Sequence, residues 1–318
     1  MREVRIGLLG CGTVGQGFVR LLQQERFRHL CVGRVLVRDL KKERPGIDRS
    51  LLTTDAIAVI DDCNLVVELI GGIHSAGAYI RRALRNGSDV VTANKALLAD
   101  SGRELFAIAK ESRARIGFEA SVCGGIPVIR AIERGLAGDT IESITGIVNG
   151  TCNYILTRME ENGADFAAAL RLAQQRGFAE DDARLDVEGV DALQKLQILS
   201  ELAFGNSSHV RVRVHGIEDV TREEIEQARS RRCVIRHVAS ARRVPGGVEL
   251  RVERRELPET HPLASVRDEN NAVIIRGKAV GEMLFVGKGA GSLPTAAAVL
   301  SDVIEIAAES RPAALSAI

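Results

Sequence analysis

The start of the chain constrains the fold more than any other stretch. A short apolar run, Val4–Leu9, leads directly into GCGTVG at residues 10–15, and apolar residues with helical spacing follow. The pattern G-x-G-x-x-G between a strand and a helix is typical of a dinucleotide-binding turn. The first glycine makes the tight turn, the second lets a pyrophosphate approach the backbone, and the third lets the helix pack on the strand.

Predicted strands and helices alternate over the first part of the chain. The predicted strands after the first one cover residues 33–38, 65–70, 89–92 and 116–120, and predicted helices cover 76–86 and 97–112. This alternation predicts an α/β fold with a Rossmann-type, doubly wound parallel sheet.

The pattern changes later in the chain, where short strands are predicted at 141–147, 248–252 and 272–276 and a helix is predicted at 154–162. We therefore predict a second, α+β domain with a partly antiparallel sheet. The predicted division is a dinucleotide-binding domain at 1–130, completed by 290–318, and a substrate-binding, catalytic and dimerisation region at 131–289. A final alanine-rich helix, predicted at 294–307, returns to the first domain.

Composition excludes several functional classes. The 318 residues are 45% hydrophobic and 27% charged, with a net charge of +1, so neither nucleic acid nor an anionic membrane is indicated as a partner. No apolar run approaches the ~18 residues of a membrane span, and no signal peptide is recognisable. Six cysteines without CxxC pairs indicate neither zinc nor a disulfide framework. We expect a cytoplasmic protein with reduced thiols.

The end of the second predicted strand bears on cofactor choice. An NAD-specific site usually has Asp or Glu there to hold the ribose hydroxyls. Here the strand ends in Arg38, which can pair with a 2′-phosphate, so NADP(H) is the predicted preference. Asp39 follows and leaves NAD(H) open.

A carboxylate-rich stretch, residues 177–195, leads into an apolar helix, predicted at 190–204, that carries Asp191 and Lys195 four residues apart on one face. Only seven of the 43 basic residues Lys and Arg are lysine. Lysine can lose its proton when desolvated, whereas arginine effectively cannot. The pair is therefore either an ordinary surface ion pair or a catalytic lysine with its carboxylate partner, and spacing alone leaves both open.

With these segments in hand, the sequence resembles the homoserine dehydrogenases. The resemblance rests on GLLGCGTVG, VVTANKALLA, FEASVCGGIP, GIVNGTCNYIL, GFAEDDARLDVEGVDALQK and GKGAGSLPTA, in this order. It implies a homodimeric oxidoreductase of amino-acid biosynthesis, on the route to threonine, methionine and isoleucine. The implied reaction is the reversible, NAD(P)H-dependent reduction of L-aspartate 4-semialdehyde to L-homoserine.

The resemblance also implies residue roles. Lys195 would donate the proton to the aldehyde oxygen, and Lys95 would help orient or protonate the substrate. The implied substrate-binding residues are Glu180, Asp191, Gly150 and Thr151. The implied cofactor-binding residues are Gly10, Gly12, Thr13, Val14, Gly15, Arg38, Thr92, Lys95, Gly289 and Gly291. In such proteins the backbone carbonyls corresponding to Glu119, Val122, Gly124 and Ile126 can hold a structural sodium ion.

Some features depart from the family pattern. The family commonly has proline where this chain has Ala183, so a looser loop is expected to shift Glu180. Cys152 replaces the more usual threonine, and Cys11 in the glycine turn suggests oxidation-sensitive cofactor binding. Many bacterial relatives carry a regulatory domain after the core; this sequence ends at residue 318, so we expect no threonine inhibition through such a domain and no fused aspartate kinase.

Three other interpretations remain open. Cys123 lies at a loop–helix junction and would be the nucleophile of a different semialdehyde oxidoreductase. A dinucleotide-binding sensor without catalysis would keep the glycine turn, although it would not need Glu180, Asp191 and Lys195 together. A related dehydrogenase acting on another small hydroxy acid would share the fold.

Overall fold

The structure is a computed structural model that describes residues 4–205, 207 and 209–309. The chain divides into two compact units. The first comprises the described residues of Met1–Gly125 and Gly291–Ile318, and the second is formed by those of Ile126–Ala290.

The first unit begins with alternating strands and helices. Strands β1 to β6 are Val4–Leu9, Leu30–Leu36, Leu52–Thr53, Leu65–Glu68, Asp89–Thr92 and Ile116–Gly117. Helices α1 to α4 are Thr13–Leu22, Ala56–Asp61, His74–Arg85 and Lys95–Ser112. The strands form one sheet in the order β3-β2-β1-β4-β5-β6, and every pair in it is parallel. The predicted doubly wound parallel sheet is therefore confirmed, with the strand order reversing between β1 and β4.

The second unit is mixed. Its helices α5 to α10 are Val128–Arg130, Gly150–Asn162, Phe166–Gln175, Arg184–Val187, Val190–Phe204 and Arg222–Ser230, with a π-helical turn at Ala131–Gly135. Its strands β7 to β12 are Ile141–Ile147, Val210–Val214, Cys233–Val244, Gly247–Pro258, Asn270–Gly277 and Gly281–Lys288. They form a second sheet in the order β12-β11-β7-β9-β10-β8. Its pairs are antiparallel except β8 with β10, which confirms the partly antiparallel sheet.

The last helix, α11 (Ser292–Glu309), belongs to the first unit. It packs with α1 on one face of the parallel sheet, where Phe18, Val299 and Val303 are fully buried. The opposite face is covered by α2, α3 and α4, through residues such as Ile80 and Leu105. Both faces of the sheet are thus covered, which explains why β4 is buried at every position.

The boundaries of several elements differ from the predicted ones. Helix α6 starts at Gly150 rather than 154, because the Asn149 side chain accepts a hydrogen bond from the Cys152 backbone N–H and caps the helix. Strand β4 ends at Glu68 rather than 70, because the Glu68 carboxylate accepts the backbone N–H groups of Ile70 and Gly71 and turns the chain there.

No helix in the described part of the chain is both long and apolar enough to cross a membrane.

Candidate active site

The glycine turn lies between β1 and α1, at the point where the strand order reverses. Gly10 has a φ of +97°, and a Cβ there would come within 2.8 Å of the Leu69 carbonyl oxygen. A Cβ on Gly15 would lie 2.5 Å from the Gly10 carbonyl oxygen, so only glycine fits. A Cβ on Gly12 would meet no atom within 4 Å.

Gly12 is also the N-cap of α1, and no side chain in the described ranges caps that helix. The first-turn N–H groups of a helix lack intrahelical acceptors and favour an anion. The predicted residues Thr13 and Val14 form the start of this turn. Open space at Gly12 in front of uncapped amides fits a dinucleotide pyrophosphate.

A network of polar side chains lies at the ends of the neighbouring strands β4 and β5. The Thr92 hydroxyl donates to the buried Glu68 carboxylate at 2.6 Å and accepts the backbone N–H of Asn94 at 3.0 Å. The Asn94 amide donates to the Gly72 carbonyl at 2.7 Å and caps α4 at the Leu97 N–H. Through its bond to Glu68, the Thr92 hydroxyl thus supports the loop after β4. The roles of Glu68 and Asn94 were not predicted from the sequence. Glu68 was recognisable there as a single carboxylate within an apolar strand.

Lys95 is the first residue of α4 and is half-buried. The Asn94 cap fixes the start of the helix, and therefore the backbone position of Lys95. The predicted cofactor residue Thr92 lies three positions before it, at the end of β5.

Arg38 is exposed, two residues beyond the end of β2. The following segment is curled by Arg44, whose guanidinium donates to the carbonyls of Asp39 and Lys42. The Asp39 carboxylate accepts the Lys41 backbone N–H at 2.8 Å. Within the described part of the chain, no acidic group pairs with the Arg38 guanidinium.

The second unit holds the predicted lysine–carboxylate pair. Asp191 and Lys195 lie on α9, with side chains only 10% and 11% exposed. The Lys195 Nζ donates to the Asp191 Oδ2 at 2.7 Å and to the Val148 carbonyl at 2.7 Å. Since both side chains are buried, the interpretation as an ordinary surface ion pair is wrong.

The pair belongs to a larger cluster. Asp191 is in the first turn of α9, where the helix dipole favours a negative charge. Its Oδ2 also accepts the Asn149 amide, which bonds Asp186 as well. Asn149 and Asp186 were not predicted as site residues. Asn149 stands just before Gly-Thr in a motif that opens a helix, so its capping preference was a readable signal.

The Glu180 carboxylate is exposed and has no partner among the described side chains. Its loop is nevertheless fastened, because the Gln174 amide donates to the Glu180 and Asp181 carbonyls at 3.3 and 3.2 Å. The Thr151 hydroxyl donates to the Phe178 carbonyl at 2.6 Å. The loop is therefore tied down without the family's proline, and the buried Ala183 takes that place.

The carboxylates near Glu180 are not equivalent. Asp182 forms an exposed pair with Arg184, and the hydrogen bonds from Arg184 lower the pKa of Asp182 to about 2. This arginine occupies the Asp182 carboxylate, whereas Glu180 remains open to a ligand.

The start of α6 lies next to the lysine cluster, because Asn149 joins the two. A Cβ on Gly150 would lie 2.6 Å from the Glu269 carbonyl oxygen, so the first position of the helix admits only glycine. Asn149 caps the Cys152 N–H, while the amides of Gly150 and Thr151 belong to the first turn, where intrahelical acceptors are absent. Cys152 itself is fully buried and donates through its thiol to the Asp186 carbonyl.

The two predicted glycines near the end of the core lie in different units. In the second unit, a Cβ on Gly289 would lie 2.1 Å from the Asn271 amide nitrogen, which excludes a side chain. Asn271 is fully buried and donates to the Val148 carbonyl at 3.0 Å, the same oxygen that Lys195 bonds. In the first unit, Gly291 has a φ of +119° directly before α11.

The predicted sodium residues lie at 119–126. The Glu119 carbonyl accepts the Val122 N–H at 3.4 Å, and the Ile126 carbonyl accepts the Val128 N–H at 2.8 Å. Gly124 and the residue before it both have positive φ, 48° and 54°. No cluster of three or more His, Cys, Asp or Glu side chains suited to a metal occurs among the described residues.

Cys123, the alternative nucleophile, is fully buried. An aldehyde substrate requires an accessible thiolate, so this burial counts against the interpretation as a cysteine-dependent enzyme.

A parallel sheet with a glycine turn at its switch point, in a chain that also carries a buried lysine–carboxylate pair, defines an NAD(P)-dependent oxidoreductase. The family model described as "Homoserine dehydrogenase, NAD binding domain" matches residues 10–119, and "Homoserine dehydrogenase" matches residues 127–304. The chain belongs to the homoserine dehydrogenase family.

Known proteins similar to the chain agree with this assignment. A homoserine dehydrogenase from Bacillus subtilis is 43% identical over 96% of this chain and 73% of its own length. A crystal structure of the Thiobacillus denitrificans homoserine dehydrogenase matches with a TM-score of 0.92 at 42% identity, covering 96% of this chain and 73% of that one. A hyperthermophilic archaeal homoserine dehydrogenase in complex with NADPH matches with a TM-score of 0.84 at 27% identity, covering 98% and 99%.

The reaction is that of the family: L-aspartate 4-semialdehyde is reduced reversibly to L-homoserine with NAD(P)H, in the aspartate pathway. This assignment replaces the interpretation as a dinucleotide-binding sensor without catalysis and the interpretation as a dehydrogenase of another small hydroxy acid.

Proposed function

We propose that Lys195 is the proton donor of the reduction, held by Asp191. The observation that carries this proposal is the buried Lys195–Asp191 pair, with Nζ 2.7 Å from both the Asp191 Oδ2 and the Val148 carbonyl. A reduced nicotinamide cofactor, when bound, supplies the hydride that adds to the aldehyde carbon. The carbonyl oxygen then gains negative charge, and the Lys195 ammonium stabilises it and donates a proton. In the reverse direction the neutral amine accepts the proton of the homoserine hydroxyl.

The amino group and the carboxylate of the substrate would bind to different groups of the protein. The Glu180 carboxylate is exposed and has no partner in the described part of the chain, so it suits the amino group of the substrate, whereas Asp182 is neutralised by Arg184. The first-turn amides of Gly150 and Thr151 suit the substrate carboxylate, because a helix N-terminus attracts anions. Asp191 would contact the hydroxyl region through its bond to Lys195.

The test compares wild type with Lys195→Ala in aspartate 4-semialdehyde reduction. Lys110, exposed on α4, provides the matched control Lys110→Ala. We expect kcat to fall by about 10²- to 10⁴-fold in Lys195→Ala, the range of general acid catalysis, with cofactor affinity unchanged. The control should keep wild-type rates. Wild-type kcat in Lys195→Ala would exclude the proton-donor role.

Lys95 is proposed as the second functional lysine, which orients or protonates the substrate while lining the cofactor site with Thr92. Its place at the capped start of α4 supports this, since the Asn94 cap fixes the backbone there. Lys95→Ala should raise the KM for the semialdehyde or lower kcat. Unchanged values of both would remove Lys95 from the site.

NADP(H) is the proposed preferred cofactor, with NAD(H) also accepted. The glycine turn at Gly10, Gly12 and Gly15 would hold the pyrophosphate, and Gly289 and Gly291 would close over the nicotinamide. Arg38 is exposed and has no acidic partner among the residues that the structure describes, which supports recognition of a 2′-phosphate.

The cofactor preference is tested by Arg38→Ala, with Arg34→Ala as control. Arg34 lies on β2, four residues before Arg38, but pairs with Asp62. Arg38→Ala should raise the KM for NADPH and leave that for NADH unchanged, whereas Arg34→Ala should change neither. Equal losses for both cofactors would argue against a 2′-phosphate contact.

A structural sodium ion at the carbonyls of residues 119–126 is also proposed. The turn with two successive positive φ values supports it, and a carbonyl that accepts one hydrogen bond retains a second lone pair. Sodium should raise the melting temperature more than potassium at equal ionic strength, because a ligand of the native state stabilises it. Equal melting temperatures would exclude a sodium-specific site.

The assembly is proposed to be a homodimer that works in the cytoplasm. Strand β7 is paired on both edges by β11 and β9, so a second copy that contacts β7 would have to meet a face of it rather than an edge. The buried residues of the alanine-rich helix α11 pack within its own unit, so a second copy would have to contact the outer side of that helix. Sedimentation equilibrium that gives a monomer mass would overturn the dimer.

A further inference from the structure

Asn149 occupies the junction between the end of β7 and the start of α6, and it is only 4% exposed. Its side chain makes three hydrogen bonds. The Oδ1 accepts the Cys152 backbone N–H at 2.7 Å, and the Nδ2 donates to the Asp186 Oδ1 at 2.6 Å and to the Asp191 Oδ2 at 2.8 Å. Both donors and an acceptor of the amide are therefore engaged.

These bonds also fix the orientation of the amide. The Cys152 backbone N–H can only donate, so it requires the Asn149 oxygen on its side. The amide nitrogen then has to face the two carboxylates, which can accept but, when ionised, cannot donate. A flipped amide would place oxygen against oxygen at both aspartates.

Asn149 reaches Lys195 through one shared atom. The Asp191 oxygen that accepts the Asn149 amide is the oxygen that accepts the Lys195 Nζ at 2.7 Å. The residue before Asn149 contributes the second acceptor, because the Val148 carbonyl also bonds Nζ. That carbonyl is itself held by the buried Asn271 amide. Two consecutive residues thus set the position of the lysine, one directly and one through its carboxylate.

We propose that Asn149 is a positioning residue for proton transfer, which joins Asp186 to Asp191 and thereby holds the Lys195 ammonium at the reacting oxygen. This inference rests on the proposed role of Lys195. It adds a neutral amide bridge between the two carboxylates. Displacing the Asp191 oxygen would displace Nζ with it.

Helix capping alone does not require an asparagine at this position. Serine, threonine and aspartate also accept the capping hydrogen bond. Only asparagine among these residues adds two N–H donors to its acceptor. The two bonds to Asp186 and Asp191 are the feature that an ordinary cap leaves unexplained.

The experiment uses two variants that keep the cap and lose the bridge. Asn149→Ser retains an acceptor for the Cys152 N–H, and Asn149→Asp retains both size and acceptor while it replaces the amide donors by a carboxylate. The control is Asp165→Ser, at the exposed cap of α7, where the carboxylate accepts only the Ala168 N–H. Each protein is assayed for kcat, the KM of the semialdehyde, NADPH affinity and melting temperature.

Both Asn149 variants should lower kcat by at least tenfold, since small misplacements of catalytic groups cost roughly 100-fold in rate. NADPH affinity should remain that of wild type. Asp165→Ser should keep wild-type kcat. A purely structural role would instead lower the melting temperature and leave kcat per folded enzyme unchanged, and that result would overturn the proposal.

A double-mutant comparison separates action through Asp191 from an independent effect. If Asn149 acts through Asp191, Asn149→Ser should change kcat less than about twofold in an Asp191→Asn background. Effects that multiply in the double variant would refute the link. Lys195→Ala separates failure of the proposed function from failure of this inference. Wild-type activity in Lys195→Ala would exclude the proton-donor role and this inference with it. An inactive Lys195→Ala together with a fully active Asn149→Ser would exclude only the positioning role of Asn149.

Discussion

The open space at Gly12 leads to a prediction that separates cofactor binding from stability. Gly12 has a φ of −84°, which any residue can adopt, and a Cβ there meets no atom within 4 Å. Gly12→Ala should therefore fold normally but place a methyl group where the pyrophosphate has to approach the backbone. Gly15→Ala is the matched opposite, because its Cβ would lie 2.5 Å from the Gly10 carbonyl oxygen.

The magnitudes follow from these contacts. In Gly12→Ala, alanine is a poorer N-cap, which lowers the free energy of unfolding by about 0.5–1 kcal/mol, and it reduces the entropy of the unfolded chain, which raises that free energy by a similar amount. Because the two effects oppose each other, the melting temperature should change by less than about 4 °C. A methyl group forced against a bound ligand costs about 1–3 kcal/mol, which corresponds to roughly a 5- to 150-fold increase in Kd. In Gly15→Ala the added methyl group clashes within the folded protein itself, at the same cost of about 1–3 kcal/mol, and should lower the melting temperature by about 2–12 °C.

Thermal unfolding without cofactor and fluorescence titration with NADPH test both variants. The expected pattern is a stable Gly12→Ala with weak NADPH binding and a less stable Gly15→Ala. Wild-type NADPH affinity in Gly12→Ala would show that the space at Gly12 is not where the pyrophosphate binds, and the cofactor site proposed for this turn would be wrong.

Three further predictions concern buried groups. Thr92→Val removes the hydroxyl donor of the fully buried Glu68 and should cost about 1–3 kcal/mol of unfolding free energy in urea titrations, whereas the exposed Thr140→Val should cost little. Burial lowers the pKa of His237 below its usual 6.5, so the unfolded state binds that proton more readily. Stability should therefore fall as the pH drops below about 6.5, and His237→Gln should flatten that decline; equal slopes would contradict this. Burial raises the pKa of the Cys11 thiol, which opposes the oxidation sensitivity expected from its place in the glycine turn. Treatment with mild peroxide should leave NADPH affinity unchanged. If peroxide lowered the NADPH affinity of wild type but not that of Cys11→Ala, cofactor binding would be sensitive to oxidation of Cys11 after all.

The parts of the fold that could be predicted from sequence are those where local patterns and tertiary structure agree. Strands β1, β5 and β7 and helix α9 have the predicted bounds, because continuous apolar runs or helical periodicity end at clear turn residues. The start of α6 was placed four residues late, since Asn149, Gly150 and Thr151 resemble a polar loop until the capping bond is seen.

The candidate site shows the same limit. Asp191 and Lys195 are one turn apart on a helix, so their pairing was readable from spacing. Asn149, Asp186 and Asn271 reach the lysine only through long-range contacts, such as the Asn149–Asp191 bond across 42 positions. No periodicity in the sequence reports contacts of that kind. The burial of the pair also depends on the assembled unit and not on α9 alone.

The return of α11 to the first unit has a consequence for synthesis of the chain. Helix α11, Ser292–Glu309, packs beside Phe18 of α1 on the face of the parallel sheet that carries Val35. While the ribosome adds residues in order, that face is covered by α1 but lacks α11 until the second unit has been made in full. The first unit to be translated is thus the last that can complete its core, and its exposed apolar sheet face is a natural target for chaperones during translation.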